Sequence, residues 1–166
     1  MQRLVDTTWL NEHLDDDIVI LEVSADSPDA AAYFTTHVPG ARYANWKDLC
    51  WHETDREFPT AEVMTSRLRS LGVRDSSTIV LVGDPIQYGT YTYWVLTMTG
   101  FGDKLALLDG GRSAWMSSGF ATTAEVIEPE PGGVQPGPAV ETCRVGRDDV
   151  RSHLGSTDRA LLDMRS

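Results

Sequence analysis

Cys50 and His52 stand two residues apart in Cys50-Trp51-His52. A thiol near an imidazole could be a thiolate and its base, or two ligands of a metal ion. Two ligands do not complete a metal site, however, and side chains this close in sequence rarely converge. A structural or incidental role is therefore expected for both. The second thiol, Cys143, ends a proline-rich stretch and is expected to be free and exposed. Asp109-Gly110-Gly111 could be taken for a phosphate loop, but two adjacent glycines more simply supply the positive φ angles of a strand-to-helix turn.

The stretch with the best placement for chemistry runs from Ser77 to Gly102. An apolar, β-branched strand, Ile79 to Val82, breaks at Gly83-Asp84-Pro85. A helix then starts near Tyr88 and carries Tyr91, Trp94, Val95 and Met98 at helical spacing. The first amides of such a helix lack internal partners and form an anion-binding cradle. Yet the loop Gly83, Asp84, Pro85, Ile86, Gln87, Tyr88, Gly89 contains no Cys, His, Ser, Lys or Arg. The position suits an active site, and the residues do not supply one.

The elements around this loop alternate regularly. Asp6 or Thr7 caps a helix through His13, and a strand follows from Ile18 to Val23. Ser27-Pro28 introduces a helix over 29–35, residues 41–44 form a short strand at most, and 45–59 read as loop. Thr60 caps a helix that buries Val63, Leu68 and Leu71 and stops at Gly72. A strand from Leu105 to Leu108 and a helix over 113–118 complete the series. Repeated βα units with short apolar strands predict a parallel sheet covered by helices on both faces, with the ligand site beyond the carboxyl ends of the strands.

The chain has 166 residues, 41% of them hydrophobic, enough for one sizeable core, and a net charge of −11. That charge argues against nucleic acid and anionic membranes as partners, both of which select basic surfaces. The sequence lacks an apolar span of membrane length and a signal-like amino terminus, and its two cysteines suit a reducing compartment, so a cytoplasmic location is expected.

After Ala121 the composition shifts to a Pro/Gly-rich connector. Beyond it, Arg147 to Leu154 followed by Ala160 to Met164 repeats the plan of Thr7 to Leu14 followed by Val19 to Val23, a short capped helix and a first strand. The expected division is a domain over 1–120, a connector over 121–144 and the start of a second copy over 145–166.

His37-Val38-Pro39-Gly40-Ala41, Leu107-Leu108-Asp109-Gly110-Gly111 with Trp115, and Leu161-Leu162-Asp163-Met164-Arg165-Ser166 resemble the signature segments of the tandem-domain rhodaneses, the thiosulfate and 3-mercaptopyruvate sulfurtransferases. The resemblance implies an α/β, three-layer domain with a central parallel five-stranded sheet, in which the motif at His37 is a positioning turn. It also implies a catalytic Cys in the second repeat alone, in the loop after the strand equivalent to Ile79 to Val82. That Cys position falls here on Gly83 or Asp84, neither of which can form a persulfide. Asp163 and Arg165 would be the only residues drawn from the edge of the second repeat's site. Trp46, Trp51 and Tyr88, expected in loops, would face that repeat, with Tyr91 and Trp94 packing the core.

Two readings follow. In the first, the chain is the non-catalytic amino-terminal part of a sulfurtransferase that acts on a small sulfur-containing anion without a cofactor or metal. In the second, it is a catalytically silent module that binds another protein chain or an anion. A third and weaker reading makes Cys50 a nucleophile.

Overall fold

The structure, a computed structural model, describes residues 3–54 and 57–162. Five strands, β1 (Leu4–Val5), β2 (Ile18–Ser24), β3 (Arg42–Asn45), β4 (Thr78–Asp84) and β5 (Leu105–Leu108), form one parallel sheet in the order β1-β5-β4-β2-β3. β2 and β4 pair over their full lengths, from Ile18 opposite Thr78 to Ser24 opposite Asp84. Their central residues, Val19 to Leu21 and Ile79 to Val82, are apolar on both faces, as in buried parallel strands.

Alternating side chains divide the core in two. Val19, Leu21, Val23, Ile79 and Leu81 pack against α2 (Trp46–Cys50), α3 (Ala61–Ser70) and α4 (Ile86–Leu96), through Leu49, Met64, Leu68 and Val95. Ile20, Val80, Val82 and Ala106 face α1 (Thr7–Glu12) and α5 (Gly111–Ser118), through Leu10 and Trp115. The result is the expected three-layer α/β domain.

Local signals set most boundaries. The Asp6 carboxylate accepts from the Trp9 amide at 2.7 Å and caps α1, and Thr60 Oγ1 accepts from the Val63 amide at 3.4 Å and caps α3. Gly72 ends α3 with φ of 75°.

Several expectations are corrected. Residues 29–35 form only a 3-10 turn, Ala32–Phe34, with no side-chain cap, because Tyr33 turns inward to donate to the Ala41 carbonyl at 2.8 Å. The 45–59 loop contains α2, which Asn45 caps by accepting from the Lys47 amide. α3 buries Met64 rather than Val63, which is exposed. α4 begins at Ile86 rather than near Tyr88, and the two-residue β1 was not anticipated. Arg147–Ser152 forms a short helix, α6, as anticipated. Leu161 and Leu162, expected in a strand, are exposed and outside any strand, and residues 163–166 lie outside the described residues.

From Ala121 to Cys143 the chain runs largely extended, and it is fastened down as a strap. The Gly132 amide donates to Arg69, that of Val134 to Val73, that of Gly137 to Gly100 and that of Val140 to Met98, all at 2.7–3.1 Å. Arg69 Nε donates to the Val134 carbonyl, and the Val134 side chain is fully buried in the core beside Val73 and Leu68. Val134→Ala should therefore lower stability by about 1–3 kcal/mol. The urea midpoint should fall at unchanged slope, whereas an unchanged midpoint would mean that the strap carries no core energy.

Candidate functional site

The carboxyl ends of β2 and β4 and the first turns of α4 and α5 meet at the loop 83–89. Gly83 is buried, and a β-carbon there would lie 2.6 Å from the Ile86 carbonyl oxygen and 2.7 Å from the Gly89 nitrogen. One on Gly89 would stand 2.9 Å from the Gly83 nitrogen, and one on Gly111 would stand 2.5 Å from the Gly83 carbonyl oxygen. No side chain fits at these three positions without backbone movement. The first residue of the loop able to present one is Asp84, joined by a cis peptide to Pro85, which opens α4.

Asp84 Oδ2 lies 3.6 Å from Arg112 Nε, and Glu22 Oε1 lies 3.0 Å from the same atom. Arg112 Nη2 donates to the Thr36 carbonyl at 2.8 Å, and the Val38 amide approaches Glu22 Oε2 at 3.5 Å. Glu22 is almost wholly buried. Its desolvation outweighs the attraction of Arg112, and the Asp84 charge adds to it, so the carboxyl is pushed up to about 7. One guanidinium between two carboxylates carries no net positive charge for an incoming anion once both are ionised. Through Glu22 the cluster can hold or release a proton near neutrality.

Glu22 and Arg112 were not singled out from the sequence. The available signal was an acid inside the apolar run Ile18-Val19-Ile20-Leu21-Glu22-Val23, since a buried parallel strand keeps a carboxylate only beside a partner.

The remaining candidates are arranged as follows. Cys50 is buried, its Sγ 3.4 Å from Thr92 Oγ1, and burial pushes the thiol up to about 11. His52 is exposed and turns toward Thr54, so Cys50 and His52 do not form a pair. Cys143 is half-buried rather than fully exposed, and its carbonyl accepts from Trp94 Nε1 at 3.0 Å. Gly110 and Gly111 have φ of 72° and 57°, as a strand-to-helix turn requires.

Trp46, Trp51, Tyr88, Tyr91 and Trp94 do meet, with Phe58, at ring separations of 5.1–6.3 Å. Trp46 and Tyr88 lie on α2 and α4, not in loops. Asp163 and Arg165 fall outside the described residues. Among the described residues, no group of three or more His, Cys, Asp or Glu could hold a metal ion, and no helix is long and apolar enough to cross a membrane.

Comparison with known proteins bears on this geometry. The model of the rhodanese-like domain family matches residues 6–118. A sulfur carrier protein, TtuD, of Thermus thermophilus is 34% identical over 98% of the chain, and a Haloferax volcanii protein named "Putative thiosulfate sulfurtransferase" is 35% identical over the same share. The chain spans 58% of the length of each. The crystal structure of SseA from Escherichia coli, described as a 3-mercaptopyruvate sulfotransferase with the rhodanese fold, superposes with a TM-score of 0.77 at 22% identity. The match covers 94% of this chain and 63% of that one.

Two measurements check the site. A free glutamate releases its proton near 4.5, whereas folded Glu22 holds it to about 7. Folding thus takes up a proton between those values, so the contribution of Glu22 is complete below about pH 4.5 and lost as pH rises through 7. The loss is on the order of 3 kcal/mol, and Glu22→Gln should remove it from the pH dependence of the denaturation midpoint. A variant that keeps the full slope would place the titrating group elsewhere. Because thiolates are the reactive form, a thiol reagent should label Cys143 in the native chain and reach Cys50 only in denaturant. Native labelling of Cys50 at a comparable rate would contradict the burial.

Proposed function

The chain belongs to the rhodanese-like domain family, and from that membership we propose that it is the amino-terminal, non-catalytic part of a tandem sulfurtransferase. The full protein would move sulfane sulfur from thiosulfate or 3-mercaptopyruvate, through a cysteine persulfide, to cyanide or a thiol. The persulfide-forming Cys would belong to a second repeat of the same fold, and residues 145–166 would be that repeat's beginning.

The observation that carries this reading is the closed loop. Gly83 has no room for a side chain, and Asp84, at the other candidate position, is a carboxylate directed at Arg112. A sulfurtransferase loop has the opposite requirements: a thiolate whose charge is stabilised, and a cradle that attracts the donor anion. A carboxylate repels thiosulfate and cannot accept its sulfane sulfur. That the chain spans 58% of its relatives supports a partner repeat. The aromatic cluster around Trp46 and Trp51 fits a wall against which such a repeat packs.

A binding-module reading draws on a different observation. The strap closes the core around Val134 from within this chain, as a module that folds by itself would require. The two readings agree that the chain by itself does not transfer sulfur. Incubated with thiosulfate and cyanide, it should form thiocyanate no faster than a protein-free control. Turnover abolished by Cys50→Ser would overturn the proposal in both forms.

A further inference from the structure

His37 is fully buried, and both of its ring nitrogens approach carbonyl oxygens. Nδ1 lies 2.7 Å from the Tyr33 carbonyl in the preceding turn, and Nε2 lies 3.1 Å from the Glu125 carbonyl in the strap. A carbonyl oxygen can only accept, so each contact is a hydrogen bond only if that nitrogen carries a proton. The neutral ring has one N–H, and the imidazolium has two.

The surroundings hold the ring in this pose. It stacks on Tyr33 with centroids 3.8 Å apart and planes 11° from parallel, and the Tyr33 hydroxyl is tied to Ala41. The His37 backbone also meets the strap: its amide donates to the Thr123 carbonyl at 2.8 Å, and the Thr123 amide donates to the His37 carbonyl at 3.0 Å. Thr123 Oγ1 accepts from the Glu125 amide at 3.0 Å, which ties residue 125 to the bridged residue.

We propose that His37 is a proton-dependent clasp for the strap: charged, it bonds to both Tyr33 and Glu125, and neutral, it keeps one bond and turns a lone pair toward the other carbonyl. The shorter contact, to Tyr33, is the one retained. The Glu125 carbonyl is then left without its donor, and the residues where the strap begins are held by the backbone bridge at Thr123 and by Trp115 Nε1, which donates to the Ala121 carbonyl at 3.1 Å. Loss of the second ring proton therefore loosens the clasp.

The charged and titratable groups facing this point come from three directions. Glu22 of β2 accepts from Val38, next to His37. Arg112 of α5 donates to Thr36, on its other side. The Tyr33 phenol lies beneath the ring, and the Glu125 side chain is exposed.

The test is nuclear magnetic resonance on the unmodified chain from about pH 5 to pH 9. The ring nitrogen shifts of His37 and the hydrogen exchange of the Thr123 and Glu125 amides would be followed together, with exchange corrected for its intrinsic pH dependence. Both ring nitrogens should be protonated at the acid end, and Nε2 should lose its proton. At the same midpoint, protection at Thr123 and Glu125 should fall about five-fold, the equivalent of one net hydrogen bond. His37→Phe, which keeps a stacking ring, should remove the step in protection. A ring that holds one protonation state throughout, or one that titrates while protection at both amides stays constant, would overturn the clasp.

Discussion

Crowding of bare backbone at Gly83 sets the arrangement at the carboxyl end of the sheet. The last residues of β4, the first turn of α4 and the first residue of α5 approach so closely that β-carbons at 83, 89 and 111 would stand 2.5–2.9 Å from neighbouring main-chain atoms. The contact lets β4 run straight into α4 with α5 lying against both. It also leaves position 84 as the earliest in the loop with a side chain, and that side chain lies beside Arg112. Arg112 in turn engages Glu22 of β2 and the Thr36 carbonyl, so one guanidinium ties together two strand ends, a helix start and the turn before β3. A buried group of this kind tolerates little editing, since removing one partner leaves an uncompensated charge.

The same organisation reaches the strap. Thr36 and Val38, on either side of His37, are the points at which the Glu22 and Arg112 cluster touches the turn that receives residues 123–125, so the candidate site and the beginning of the strap share neighbours. Farther on, Val134 completes the core on the opposite face, and Trp94 reaches the Cys143 carbonyl. The strap is therefore part of the domain's packing rather than a passive tether between two folded units. Where it leaves the domain, the chain exposes Val145, Leu154, Leu161 and Leu162.

Much of the fold was legible because its signals are local. The apolar runs of β2, β4 and β5, the caps at Asp6 and Thr60 and the stop at Gly72 each act within a few residues. The failures were nonlocal. Nothing between Pro28 and Thr35 shows that Tyr33 must turn inward to reach Ala41, and α2 was missed because its one local signal, the Asn45 cap, precedes a run of only five residues. At the site, position 83–84 could be located by the strand-to-helix pattern and its lack of a nucleophile read directly. That Gly83 has no room for a side chain needed the approach of Ile86 and Gly89 in space. Glu22 and Arg112 are 90 residues apart, and only the paired strands bring them to 3.0 Å.

On the proposed reading, the sulfur-nucleophile position of the family falls on Gly83 or Asp84, and neither residue can serve as one. Intact-mass measurement after incubation with excess thiosulfate tests this most directly, because a persulfide is retained when no acceptor is present. The account predicts an unchanged mass. A stoichiometric gain of one sulfur atom, mapped by proteolysis to Cys50 or Cys143 and discharged by cyanide, would contradict it.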